Sequence, residues 1–180
     1  LALMPQVTEE FFQNPVGLLG TVRCSPWHYR GKFLLIGDSA HAIVPFYGQG
    51  MNASFEDCFV LNQCLGDFEG DWENLFRTYE QQRKVNTDAI AMLAIENFYE
   101  MRDGVSDETF LRKKELEHLL ENKYTDYHSK YSLVTFHPEI SYAEAHRRGN
   151  AQNALLLEVC RSHADIKDIS LPEIYERLKK

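Results

Sequence analysis

The sequence predicts an α/β fold for about the first third of the chain and an almost entirely helical region after Asp71. The first prediction comes from a continuous apolar run, FLLI at 33–36, which lies between two glycines. An uninterrupted run of this kind fits a strand buried on both faces better than a half-exposed one. The second comes from apolar residues that recur at helical spacing from residue 72 onward.

The composition is that of a globular chain long enough for one ordinary domain, with 180 residues, 44% hydrophobic and 26% charged. A formal net charge of −8 without a Lys/Arg run argues against nucleic-acid binding. The four cysteines include no CxxC pair, so we expect a reduced intracellular compartment and no metal site. Cys58 and Cys64 are expected to pack within a helix. Neither a signal peptide nor a membrane span is predicted.

Before the apolar run the local signals are weaker. Residues 1–12 are compatible with the tail of a helix. Residues 18–24, LLGTVRC, predict a strand that is close enough in sequence to pair with 33–36 as a hairpin. A loop containing Pro45 follows the second strand, and a helix is predicted from Met51 or Asn52 to residue 65.

The next part of the chain is predicted as two helices and a short extended segment. Asp71 is a suitable N-cap for a helix over 72–101, with or without a kink. A second helix is predicted over 107–121. Residues 124–131 are expected to be irregular, and the apolar run 133–136 to form an edge strand or an extended segment.

Two S-x-x-E signals, at Ser141 and Ser170, predict the last two helices. The first should run over 142–163 and the second to Leu178. Gly149 is expected to weaken the middle of the first.

Asp38, directly after the apolar run, is a candidate ligand-binding residue. It would lie at the carboxyl end of a strand, where open α/β sheets bind ligands. An ionised carboxylate only accepts hydrogen bonds, so it suits the hydroxyls of a sugar or ribityl chain and not a phosphate.

The glycine-flanked turn after Pro45 is the second candidate. Gly48 and Gly50 allow backbone to approach a ligand closely. The N–H groups at Gly50, Met51 and Asn52 would open a helix and favour negative charge on a ligand. The alternative is an ordinary strand–loop–helix crossover. The series of buried strand, GD, PxxGQGMN and helix favours a ligand site over that alternative.

The helix over 72–101 supplies further candidates, because it is apolar on most faces and therefore buried. Asn97 and Glu100 must then find hydrogen-bond partners. They could bond to a neighbouring helix, or they could line a substrate pocket with Met101, and their spacing does not decide between these. Pro45 and Phe46 could stack on a flat ring or simply pack within the loop.

His41 follows the GD dipeptide without a second histidine at ligand spacing, and we expect it to be structural. GxSxG, HExxH and P-loop signatures do not occur, so hydrolase, zinc peptidase and nucleotide-triphosphatase functions have no support.

The stretch GDSAHAIVPFYGQGMNASFED resembles the second FAD-binding motif of the single-component, class A flavoprotein monooxygenases. HAIVPFYGQGMNASFEDC, PWHYRGKFLLIGD and ENFYEMRD are most similar to those members that act on L-kynurenine. The resemblance covers about residues 14–152. It implies the C-terminal part of a flavoprotein monooxygenase fold, with the end of the FAD- and substrate-binding domain at 1–70 and a mainly helical region at 71–180.

The resemblance implies FAD-dependent hydroxylation of L-kynurenine to 3-hydroxykynurenine with NADPH and O₂, through a C4a-hydroperoxide of the reduced flavin. Side chains are not required as chemical nucleophiles. The implied cofactor-binding residues are Asp38, Gly48, Gln49, Gly50, Met51 and Asn52. The implied substrate-binding residues are Pro45, Phe46, Asn97, Glu100, Met101 and Tyr142. The role of Tyr142 rests on the resemblance alone, because the sequence pattern by itself predicts an exposed first residue of a helix.

The family's GxGxxG fingerprint is missing from this sequence. We therefore expect a C-terminal portion of a longer polypeptide that needs an N-terminal half to bind FAD well. Eukaryotic relatives are anchored on the cytosolic face of the mitochondrial outer membrane by a C-terminal segment, whereas this chain itself is expected to be soluble. Two alternatives are a phenol-type flavin hydroxylase and a non-catalytic helical interaction module.

Overall fold

A computed structural model describes residues 3–179 and is mainly helical. The helices are α1 Val7–Gln13, α2 Asp38–His41, α3 Gly50–Asp67, α4 Trp72–Asp103, α5 Glu108–Lys123, α6 Lys130–Thr135, α7 Tyr142–Ser162 and α8 Leu171–Leu178. The strands are β1 His28–Tyr29 and β2 Phe33–Leu34, and short 3₁₀ turns occupy Pro45–Tyr47, Gly104–Ser106 and Ile166–Asp168.

The sheet is a single antiparallel hairpin in which His28 lies opposite Leu34 and Tyr29 opposite Phe33. Arg30 and Gly31 both have positive φ, 50° and 59°. A pair of positive φ values is typical of a two-residue hairpin turn.

The prediction that 18–24 pairs with 33–36 is wrong. Residues 18–24 are irregular, and Val22 donates its N–H to the carbonyl of Ala42 at 2.8 Å. The physical reason is that the tight turn at Arg30 and Gly31 places β1 directly beside β2. β1 therefore takes the pairing position that 18–24 was predicted to occupy.

The prediction that 33–36 is buried on both faces is also wrong. Phe33 is 69% exposed, Leu35 40% and Ile36 38%. A doubly buried strand needs neighbours on both edges and a layer on each face. Within residues 3–179 the run has one short antiparallel neighbour, so its side chains stay open to solvent.

The long helices agree with the sequence. α4 is one continuous helix of 32 residues, and Oδ1 of Asp71 accepts the N–H of Asn74 at its start. Ser141 caps α7 in the same way by accepting the N–H of Glu144. α3, α5 and α8 begin and end close to the predicted positions, and the helix expected near the start of the chain is α1, while residues 1 and 2 lie outside the described part.

The extended segment predicted at 133–136 is wrong, because most of it lies in α6. Ser129 accepts the N–H of Ser132 and so caps the helix. Leu133 and Val134 then bury their side chains in the core. The cap and the packing outweigh the preference of a short β-branched run for extended structure.

The core forms three clusters, and α4 contributes to two of them. One cluster joins α4, α6 and α7 around Ile90, Leu93, Leu133 and Tyr142. A second lies between α5, α7 and α8. The third packs Trp27 against Leu75 and Tyr79 of α4. The boundary expected at residue 70 runs between α3 and α4, which pack against each other, so the two-part division stays a prediction.

Two smaller expectations need correction. Cys64 is buried as expected, but Cys58 is exposed on α3. Gly149 does not simply weaken α7: a Cβ at this position would lie 2.4 Å from Cγ of Lys130, so the glycine lets the Lys130 side chain pass. Among residues 3–179, no helix is both long and apolar enough to cross a membrane.

Candidate functional site

The start of α3 presents open backbone. Gly48, with φ of 67°, ends the 3₁₀ turn that begins at Pro45. α3 begins at Gly50, and its first ladder bond runs from the N–H of Ala53 to the carbonyl of Gln49 at 2.9 Å. The N–H groups of Gly50, Met51 and Asn52 therefore precede the ladder and are donors for a ligand.

The two glycines of this turn leave space beside the backbone. A Cβ at Gly48 or at Gly50 would meet no atom within 4 Å. The positive φ favours glycine at Gly48. At Gly50 the backbone is ordinary, so its missing side chain leaves the surface next to the helix start open.

Asp38 lies beside the first turns of α3. It is exposed and begins α2, where the sequence predicted a loop. The preceding Gly37 donates its N–H to Oδ2 of Asp57 at 2.9 Å. A Cβ at Gly37 would lie 3.3 Å from Oγ of Ser54, so the turn packs closely against α3. The turn that carries the Asp38 carboxylate and the start of α3 thus belong to one packed unit.

Asp57, which the sequence analysis did not single out, is the centre of that unit. It is fully buried, and its Oδ2 also accepts a hydrogen bond from Nε2 of His41 at 2.6 Å. Its Oδ1 accepts Nε of Arg83 at 2.7 Å. Burial raises the pKa of Asp57, but the hydrogen bonds from His41, Arg83 and the Gly37 N–H outweigh it, so the pKa lies below its ordinary value.

Arg83 extends the cluster along α3. Its Nη2 donates to the carbonyl of Ala53 at 3.0 Å and its Nη1 to Oε2 of Glu56 at 2.6 Å. The signal that could have found this cluster is helical spacing. Asp57 shares a face of α3 with the buried Ala53 and Cys64, and a carboxylate on an apolar face needs a buried partner.

His41 is structural, as expected. Its side chain is buried against Trp27, with ring centroids 5.3 Å apart, and its Nε2 is held by Asp57.

A groove of about 550 Å³ lies between the start of α3 and the segment that leads into α7. Three residues named from the sequence line it, namely Gln49, Asn52 and Tyr142. Oε1 of Gln49 accepts Nδ2 of Asn52 at 2.7 Å and the hydroxyl of Tyr142 at 3.2 Å. Tyr142 is therefore not an exposed helix start but a buried link between α7 and α3, and burial raises its pKa.

The other predicted substrate residues form a second group at the end of α4, outside the lining of this groove. Nδ2 of Asn97 donates to the carbonyl of Phe46 at 2.7 Å. The rings of Phe46 and Phe98 lie 4.7 Å apart. Pro45 and Met101 are exposed, and Sδ of Met101 lies 3.7 Å from Nδ2 of Asn97.

Glu100 has an ionic partner. Its Oε1 lies 2.7 Å from Nζ of Lys130, a buried lysine that also contacts Glu96 at 3.3 Å. The expectation that Asn97 and Glu100 need partners is confirmed. Both partners lie on other elements: Asn97 bonds to the turn before α3, and Glu100 to α6.

Residues 10–94 match the family model described as FAD binding domain. Over 177 residues, the chain is 39% identical to a protein from Legionella pneumophila (strain Corby) named kynurenine 3-monooxygenase, covering 98% of this chain and 39% of the relative. Proteins of the same name from Dictyostelium discoideum and Myxococcus xanthus (strain DK1622) are 45% and 44% identical, each over 99% of this chain and over 42% and 38% of the relative. The chain thus spans about two fifths of the length of the curated relatives it matches.

Proposed function

We propose that this chain belongs to the FAD-dependent monooxygenases, as its similarity to proteins named kynurenine 3-monooxygenase and to an FAD binding domain supports, and that its protein hydroxylates L-kynurenine to 3-hydroxykynurenine. The proposed cofactor is FAD, and the proposed co-substrates are NADPH and O₂. The observation that carries the proposal is the open start of α3 beside Asp38, within the residues that match an FAD binding domain.

The residues of this site fit FAD. Asp38 would accept hydrogen bonds from ribityl hydroxyls, which its exposed carboxylate leaves it free to do. Gly48, Gln49, Gly50, Met51 and Asn52 would hold the ring system along the open backbone, and the helix start would stabilise negative charge on it. When bound and reduced by NADPH, FAD supplies the activation of O₂ for oxygen transfer to an aromatic ring.

The substrate would lie near the two groups of side chains that flank the turn at 45–48. Tyr142 would bound the groove on one side. Outside the groove, at the end of α4, Asn97 and its carbonyl partner Phe46 would contact the substrate together with Pro45 and Met101. Glu100 would help to position these side chains, because its ion pair with Lys130 connects the end of α4 to α6. For a eukaryotic source, the proposed location is the cytosolic face of the mitochondrial outer membrane.

The proposal is tested with the complete gene product, purified and examined for a flavin absorbance spectrum. We expect yellow protein whose NADPH oxidation is stimulated by L-kynurenine, with 3-hydroxykynurenine as product. Stimulation by phenols but not by L-kynurenine would identify a phenol-type hydroxylase instead. Protein without flavin after reconstitution with FAD would favour the non-catalytic interaction module.

A matched pair of variants tests the role of Asp38. Asp38→Ala should weaken FAD binding by about tenfold or more with little effect on folding, since the side chain is exposed. Glu69→Ala removes another exposed carboxylate, beyond the far end of α3, and should leave FAD binding unchanged. Equal FAD affinity in the two variants would remove Asp38 from the site.

A further inference from the structure

We propose that Asp57, His41 and Arg83, here termed the Asp57 cluster, are positioning residues that clamp the turn carrying Asp38 to the start of α3. The inference rests on the proposed function, because it concerns the site at which FAD would bind. The sequence motif and the family comparison do not assign this role to the three residues.

The clamp is visible in the bonding of the two Asp57 oxygens. Oδ2 holds the turn, through the N–H of Gly37 at 2.9 Å and Nε2 of His41 at 2.6 Å. These two groups stand immediately before and three residues after Asp38. The ends of the segment that carries Asp38 are therefore both tied to a single carboxylate on α3.

The other half of the cluster fixes α3 itself. Oδ1 of Asp57 accepts Nε of Arg83 from α4, and Arg83 also donates to the carbonyl of Ala53. Ala53 lies one turn after Gln49, to which its own N–H is bonded. Arg83 thus ties the first turn of α3, with its outward N–H groups, to the long helix α4.

Stability alone is a poor reason for this arrangement. Burying charged groups is costly, and buried ion clusters can often be replaced with apolar residues at no loss of stability. His41 adds a further cost, since within residues 3–179 its buried Nδ1 has no hydrogen-bond partner. The cluster instead orients the turn that carries Asp38 relative to α3, because each hydrogen bond restricts an angle as well as a distance. A site that must hold hydroxyls at one point and a ring at another needs such fixed geometry.

The chain offers a matched control in a second buried ion pair. Lys113 and Glu117 lie 3.1 Å apart on α5, with Lys113 also bonded to Asn153 of α7. This pair is as deeply buried as the Asp57 cluster, but its hydrogen bonds and ion pairs run within α5 and to α7.

The test compares Asp57→Asn with Glu117→Gln in the complete gene product. Three quantities are measured: FAD affinity by quenching of flavin fluorescence, the melting temperature of the apoprotein, and the hydrogen-exchange rates of the amides at 37–42. We expect both variants to lower the melting temperature. Only Asp57→Asn should weaken FAD binding, by about tenfold or more, and accelerate exchange at 37–42.

Two results would overturn the inference: wild-type FAD affinity in Asp57→Asn, or an equal loss of affinity in Glu117→Gln. Absence of FAD binding in the wild-type protein would instead overturn the proposed function, and the positioning role with it. Hydrogen exchange at 37–42 is measured without FAD and therefore shows whether the Asp57 cluster holds the turn even if FAD does not bind. Failure of the inference can thus be distinguished from failure of the proposed function.

A second pair of variants covers the case in which Asp57→Asn does not fold. His41→Gln keeps a side-chain N–H donor for Asp57, whereas His41→Phe removes it. We expect FAD affinity within a few-fold of wild type in the first variant and a loss of about tenfold or more in the second. Equal affinity in both would contradict the positioning role.

Discussion

Asp38 and Asp57 are carboxylates in opposite environments. Asp38 is exposed at the start of α2, so its oxygens are available to ligand hydroxyls. Asp57 is fully buried, and its oxygens accept hydrogen bonds from Gly37, His41 and Arg83. The first residue is suited to contact a ligand, and the second to hold the protein around it.

The low pKa of Asp57 gives its stabilising contribution a defined pH dependence. A carboxyl whose folded pKa is depressed stabilises the fold fully above its unfolded pKa, which for an aspartate is about 3.8. The contribution is lost as the pH falls through the lower folded pKa. Acid should therefore weaken the Asp57 cluster only below about pH 3.8.

Asp57→Asn should accordingly lower the free energy of unfolding by about 3 kcal/mol near neutral pH, because it leaves the buried Arg83 with only the partly exposed Glu56 as a charged partner. The difference from wild type should shrink as the pH falls below 3.8. Urea denaturation at several pH values measures both quantities. A difference that stays constant from neutral to strongly acidic pH would contradict the assignment.

Gly50→Ala separates folding from cofactor binding. A Cβ at Gly50 meets no atom within 4 Å, so the variant should fold with unchanged or slightly higher stability. The added methyl would nevertheless occupy the space beside the N–H groups at the start of α3, and FAD affinity should fall. Gly66→Ala, near the other end of α3, is the control: it should change stability in the same direction and leave FAD affinity unaltered. Unchanged affinity in Gly50→Ala would argue against the proposed cradle.

At the scale of elements, the crossing of α6 and α7 depends on Gly149. The side chain of Lys130, on α6, passes over this glycine to reach Glu96 and Glu100 on α4. The crossing thus joins three helices and holds the end of α4, where Asn97 and Met101 lie.

Gly149→Ala should destabilise the protein although alanine is the better helix former. A Cβ would lie 2.4 Å from Cγ and 2.7 Å from Cβ of Lys130, so the lysine stem or a helix must shift. We expect a loss of about 1–3 kcal/mol in the free energy of unfolding, as is typical of overpacking. Chemical denaturation measures it, with Gly66→Ala expected to show a small gain. A gain in both variants would contradict the packing argument.

The long helices could be predicted from the sequence because their signals are local. Asp71 and Ser141 bond to backbone N–H groups three residues on, and the apolar periodicity runs the length of α4 and α7. The wrong secondary-structure predictions concern short apolar runs, whose conformation depends on the elements that they pack against. The sequence predicts a strand at 18–24 and an edge strand or extended segment at 133–136. The turn at Arg30 in the first case and the helix cap at Ser129 in the second produce other structures.

At the scale of the molecule, the helical region buries its own core while the part before α2 leaves apolar side chains open. The most exposed of them are Leu3, Phe11, Phe12, Val16, Leu18, Leu19 and Phe33. The run at 33–36 was predicted to be buried on both faces because four consecutive apolar residues are typical of a strand that is covered on both sides.

The candidate site could be predicted in part. Asp38 and the turn at 48–52 could be proposed from the sequence because their chemistry is visible in consecutive residues, and their role in binding stays a prediction. The sequence did not reveal that Tyr142 bonds to Gln49 or that Arg83 bonds to Asp57. These contacts join distant parts of the chain, and helical periodicity gives the face of a residue but not the element that it meets.

The central claim is that the start of α3 and Asp38 together hold FAD. An experimental structure of the complete gene product with FAD tests it most directly. We predict the Asp38 carboxylate within hydrogen-bond distance of a ribityl hydroxyl, and the N–H groups of Gly50, Met51 and Asn52 facing the flavin ring. FAD bound elsewhere, with these groups covered by other parts of the protein, would contradict the account.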